Sequence, residues 1–167
     1  MPITTATNVV LDQVLVQLKA ELPALMTAQG MTTIAVTSFA KRLSRSRLRF
    51  ANVVPAVNVG AADSEDVPRG LGGANKGVVS NHLDVLIYGI VEHTDEETLA
   101  DWVYGLGDLI EQALEKDVNL AAKITMPEPM RKSFDIPLDD QQSGLWRGAV
   151  LVRWRIMKNR VIGTQTI

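Results

Sequence analysis

Residues 78–91 constrain the fold more than any other stretch of the chain. Successive side chains of a strand point to opposite sides of a sheet. Leu83, Val85, Ile87 and Val91 therefore share one face of an extended segment, and Leu86, Tyr88 and Ile90 share the other. A strand apolar on both faces is predicted to run through the middle of a sheet, covered on each side. A second strong strand is predicted over 145–156. Trp146, Val150, Val152, Trp154 and Ile156 point one way along it, and Arg147, Arg153 and Arg155 point the other, with Leu151 among them. A third, over 53–59, carries Pro55, which places it at a sheet edge or makes that residue its first.

The helices announce themselves by period. Leu11, Val14, Leu15, Leu18 and Leu22 predict an amphipathic helix over 8–22, capped by Thr7 or Asn8 and ended or bent by Pro23. Thr94 followed by Glu97 reads as a capping box. Leu99, Val103, Leu106, Ile110 and Leu114 then form a buried stripe, with Gly105 and Gly107 permitting close packing. Over 31–50 the period does not decide. Met31 to Val36 suits a strand, while Val36, Phe39, Ala40 and Leu43 suit a helix. Residues 60–77 are expected to be a loop, rich in glycine and acidic at its start. Residues 117–143, with Pro127, Pro129 and Pro137, are expected to be irregular.

The expected fold class is α+β: a mostly antiparallel sheet of about four strands, two main helices packed on one face, and a long loop or β-hairpin arm over 61–77. One domain is expected over 1–157, followed by a C-terminal extension over 158–167.

Several function classes are excluded or disfavoured by content. There is no cysteine, which removes disulfides, thiolate metal sites and cysteine nucleophiles. The formal net charge of −2 lacks the basic excess of a nucleic-acid binder, without excluding a protein that DNA merely passes through. No apolar run approaches the roughly 18 residues of a membrane span. Met1 to Asn8 lack the basic residues and apolar core of a signal peptide, so synthesis in a cytoplasm is expected.

No enzymatic constellation stands out. Gly70 to Gly77 resembles a phosphate loop only superficially, because Lys76 is followed by glycine and then a strand rather than by Ser or Thr and a helix. His82 and His93 flank one strand and lie roughly 36 Å apart if it is extended. Asp135, Asp139 and Asp140 match no calcium-loop spacing, and Ser/His/Asp chemistry lacks its Gly-x-Ser-x-Gly elbow. No catalytic, cofactor or metal site is expected. Three charged regions remain as candidate contacts with other subunits: the basic run containing Arg45, Arg47 and Arg49; the loop charges Asp63, Glu65, Asp66, Arg69 and Lys76; and the strand face Arg147, Arg153 and Arg155. Arginine suits such surfaces because its planar fork pairs with carboxylates and stacks on rings. The basic run and the acidic loop at 63–66 are of opposite sign and suited to pairing between neighbouring copies.

The segment Asp139-Asp140-Gln141-Gln142-Ser143-Gly144-Leu145-Trp146-Arg147-Gly148-Ala149 resembles the closing segment of the tail terminators of lambda-like tailed bacteriophages, the minor tail protein U family. Val54-Pro55-Ala56-Val57-Asn58-Val59 is similar to that family's Phe-Pro-Ala-Val strand. Strand 83–91, the acidic turn Glu92 to Glu97, the helix with Leu99 and Trp102, and the N-terminal helix follow in the same order. The likeness covers most of 8–157. It departs over 31–50, which is longer and more basic, and over 158–167, which runs past the usual end.

The resemblance implies a virion structural protein and no enzyme. It implies a homo-hexameric ring on the tail tube protein that halts tube growth and offers the surface for head–tail joining to connector or neck proteins. DNA would pass through the lumen, and the ring would sit at the head-proximal end of the tail after assembly in the host cytoplasm. A neck or head-completion protein is the alternative within the same class; a small-ligand enzyme is the alternative outside it.

Overall fold

In the computed structural model the described residues are 6–31, 38–41, 56–72, 76–122, 124, 126–140 and 144–161. They form an α+β fold. Helix α1 spans Ala6–Ala28, strand β1 Ser38–Lys41, β2 Ala56–Gly72 and β3 Lys76–His93. Helix α2 spans Glu96–Glu115, β4 Met126–Pro127, β5 Arg131–Asp140 and β6 Leu145–Val161. The six strands make one sheet in the order β1-β2-β3-β6-β4, with β5 also on β6. Only the β1–β2 pair is parallel. Residues 78–91 are central as expected, between β2 and β6.

Both helices lie on one face. Leu11, Leu18 and Leu22 of α1 and Leu99, Leu106 and Ile110 of α2 share one core with Val57, Val59, Val85, Ile87, Val150, Val152 and Trp154. Nonpolar surface removed from water at about 25 cal/mol per Å² is the main force holding these layers together. The Trp154 ring is buried, and its indole Nε1–H donates to the Glu128 carbonyl at 3.0 Å. Gly148 lets α2 approach β6 closely, since a Cβ there would stand 2.4 Å from Val103 Cγ2. Of the two helix glycines, Gly107 is buried, with Val150 at 3.0 Å from its would-be Cβ, whereas Gly105 faces open space.

Several expectations need correction. Pro23 neither ends α1 nor stops its burial: the helix continues to Ala28, because Leu22 and Met26 lie in the core on either side of the proline. It closes instead at Gly30 (φ +76°), where Met31 N–H donates to Met26 O and Gly30 N–H to Thr27 O. This is the paired bonding of a left-handed helix cap, a conformation glycine adopts without Cβ strain. The N-cap of α2 is Asp95, not Thr94; its carboxylate accepts from the Thr98 N–H at 2.8 Å and the Thr98 hydroxyl at 2.6 Å.

Of the two alternatives for 61–77, a long loop or a β-hairpin arm, the structure shows the hairpin arm. β2 pairs with β3 from Ala56↔Ile90 to Gly72↔Lys76, with register shifts at Ala61/Ser64 and Pro68/Gly70. Among the described residues β2 has no β1 partner beyond Val59, so no described outer ladder needs the N–H that Pro68 lacks. β6 follows β3 along this arm as far as Val161↔Val78, so the strand continues into the expected extension at 158–167. Residues 117–143 are likewise not all irregular, since β4 and β5 lie there. β5 accommodates Pro137 as an edge strand with a register shift between Asp135 and Leu138. The mostly antiparallel sheet with two helices on one face is as expected, and the described residues give it six strands where about four were anticipated. Residues 32–37 and 42–50 lie outside the described residues, while Phe39 and Ala40 belong to a strand.

Candidate assembly surface

The expectation that β3 is covered on both sides holds for the helix side; on the other side Asp84 and Ile90 are buried and Leu86, Tyr88 and Glu92 are half-buried. Leu83, Val85, Ile87 and Val91 lie beneath the helices. The even-numbered residues of β3, Asp84, Leu86, Tyr88, Ile90 and Glu92, share the opposite face with Arg147, Ala149, Leu151, Arg153 and Arg155 of β6, their partners in register. Among the described residues no helix or strand packs over that face.

One buried carboxylate organises it. Asp84 is 3% exposed. It stands directly opposite Arg155 and diagonal to Arg153 in the β3–β6 ladder, both within reach of a cross-strand ion pair. Arg155 donates to Asp84 from Nε (2.6 Å) and Nη2 (3.2 Å), and Arg153 from Nε (3.1 Å) and Nη2 (2.7 Å). The two arginine side chains remain 49% and 46% exposed. The Arg155 hydrogen bond, and then the charges of Arg155 and Arg153, hold the Asp84 carboxyl below its ordinary range, although burial pushes the other way. Reciprocally, the Asp84 hydrogen bond holds Arg155 above its ordinary value. A buried charge is tolerable only when paired and hydrogen-bonded. Here the pairing also fixes two guanidiniums in place with their outer sides toward solvent.

The first register shift in β2 brings an acidic residue to the same cluster: Asp63 Oδ2 lies 3.6 Å from Arg153 Nη2. Glu65, opposite His82, adds negative charge near Arg155. Farther along, Arg147 Nε donates to Glu92 at 3.1 Å. Five of the residues singled out from sequence thus lie on one face, and Asp63, Arg147, Arg153 and Arg155 are paired within their own chain. The side chains of Asp66, Arg69 and Lys76, and all of Arg45, Arg47 and Arg49, lie outside the described residues.

Sequence reasoning passed over Asp84, Glu92 and Lys132. For Asp84 a signal existed: a lone acid between Leu83 and Val85 in a central strand must find a cation, and Arg153 and Arg155 were the candidates in the other long strand. Lys132 of β5 bridges Asp108 and Glu111 of α2, at 2.6 Å each, and their hydrogen bonds raise its pKa. His93 serves the start of α2. Its Nδ1 accepts the Asp95 N–H at 2.9 Å, and its ring stands edge-on to Trp102 at 4.6 Å. Among the described residues no group of three or more His, Cys, Asp or Glu is placed to hold a metal ion, and no helix is long and apolar enough to cross a membrane.

The segment behind the phage resemblance folds as the β5–β6 hairpin, with Asp139 opposite Trp146 and Asp140 opposite Leu145. No family model matches the chain, and no curated protein does. Among solved structures, a chain in "Virion of native gene transfer agent (GTA) particle" is similar at 12% identity and a TM-score of 0.30, over 87% of this chain and 92% of that one. A likeness of that TM-score fixes neither fold nor function.

Proposed function

We propose that this chain is a structural virion protein, not an enzyme. Six copies form a ring that caps a phage tail tube, ends its polymerisation and presents the surface for head–tail joining. The observation that carries this reading is the two-sided sheet: one face sealed by both helices, the other with no described element over it and with guanidiniums held outward by a buried carboxylate. A subunit that grips unlike neighbours needs separate, rigid surfaces of this kind, and arginine is enriched where proteins meet. The collinear resemblance of 8–157 to the lambda-like tail terminators supports the same reading and supplies the ring, the tube and the neck as partners. A heterologous contact repeated by a fixed rotation closes into such a ring.

Negative-stain imaging of the purified protein with tail tubes tests the proposal. Capped tube ends bearing a six-fold ring are the expected result. Binding to filled heads or portals, with tubes left bare, would instead assign the chain to the neck. Binding to neither would overturn both.

A further inference from the structure

The outer surface of α2 carries a feature that the ring reading leaves unassigned. Its residues include Glu96, Glu97, Asp101, Asp108, Glu111 and Glu115, and no Lys or Arg. Glu97, Asp101, Tyr104, Asp108 and Glu115 are all exposed and recur at the three- and four-residue spacing of one helix face. Among the described residues, Asp108 and Glu111 are neutralised, by Lys132. In the middle of this stripe Tyr104, 55% exposed, meets Phe134 of β5, 41% exposed, edge-on at 4.9 Å. An exposed aromatic pair ringed by carboxylates has the composition of a hot spot for a basic partner.

The complementary charge lies in the same chain. Lys41 ends β1, paired with Asp12 of its own chain at 2.6 Å, and the sequence runs on through Arg42, Arg45, Arg47 and Arg49 with no acid among them. β1 and β5 form opposite edges of the sheet, four strand spacings or roughly 19 Å apart. Copies set side by side therefore bring the β1 edge of one, from whose end the basic run continues in sequence, toward the acidic helix and aromatic pair of the next. Direct strand addition at β5 is disfavoured, because Pro137 lacks a ladder donor and the register breaks between Asp135 and Leu138. Side chains rather than backbone must make the contact.

We infer that the α2 stripe with Tyr104 and Phe134 is the docking surface for the Arg42–Arg49 run of a second copy, the side-to-side contact of the ring. This rests on the ring reading above and names its joint, with a different acidic partner from the 63–66 segment first considered.

The test is a charge swap. One variant carries Glu97→Lys and Asp101→Lys, the other Arg45→Glu and Arg47→Glu, and ring formation on tail tubes is followed by sedimentation and negative stain. Each variant alone juxtaposes like charges and should lose ring assembly on the order of tenfold or more. An equimolar mixture restores opposite charge at every joint and should assemble. Tyr104→Ala, which removes only an exposed ring, should weaken assembly several-fold with its melting temperature unchanged. If the unaltered protein forms rings and either charge variant still does so alone, the mixture fails to assemble, or Tyr104→Ala assembles normally, this joint is wrong and the ring stands. If the acid-reversed variant forms rings but no longer settles on tubes, the surface belongs to the tube protein, and the joint is again wrong. If the unaltered protein forms no ring, both proposals fall together.

Discussion

The two faces of β3 are built from one stretch of chain, yet different forces hold them. Leu83, Val85, Ile87 and Val91 are cemented by apolar burial beneath the helices. On the reverse, Asp84 and Glu92 are satisfied by arginines of the neighbouring strand. The contrast teaches what each face can do. The core beneath the helices is close-packed and uncharged, so it adds little pH dependence to stability. The reverse face keeps partially exposed charge in fixed positions, where another macromolecule can reach it.

The largest break in this comparison is expected on the helix face. Trp154→Ala should cost about 3–5 kcal/mol by opening a cavity and removing the indole bond to Glu128, read by chemical denaturation. Gly148→Val should cost about 1–3 kcal/mol through overpacking against Val103. A melting temperature within a degree of the unaltered protein would mean that α2 does not sit as close to β6 as described.

The reverse face should give smaller and condition-dependent effects. Asp84→Asn leaves two arginines facing a neutral amide and should cost about 1–3 kcal/mol at neutral pH, the arginines' exposure tempering the loss. Because the folded state lowers the Asp84 pKa, its stabilisation is fully present above the ordinary aspartate pKa of about 3.9 and fades as pH falls through the folded value. The gap between the unaltered protein and Asp84→Asn should therefore narrow below about pH 4. A constant gap from pH 7 to pH 3 would refute the pairing. Smallest of all, and on the helix face, where Lys132 ties β5 to α2, Lys132→Met should cost about 0.5–1 kcal/mol, since its partners Asp108 and Glu111 are partly solvated, and the loss should shrink in high salt.

Much of the helix face was legible in advance. The stripe from Leu99 to Leu114 and the alternation of 83–91 each name their buried side, because period and burial are tied by backbone geometry. The reverse face was not. Asp84 looked like one polar residue in an apolar run until the β3–β6 register set it opposite Arg155. The arm over 61–72 looked like a loop because glycine and Pro68 argue against an interior strand; they do not forbid an edge strand with register shifts. The capping box at Thr94 was displaced by one residue because Asp95, a carboxylate at the helix N-terminus, caps better than the threonine before it.

By itself the amino-acid order determined which segments are helices, which residues of the long strands face the core, and the absence of cysteine chemistry; these follow from local period and content. Tertiary structure alone decided which charges meet. Asp63, Asp84, Arg153 and Arg155 are brought together from three separate strands, and Tyr104 meets Phe134 across a helix and an edge strand. Strand register and helix placement are set by the packing of the whole sheet, and no short window of sequence contains them.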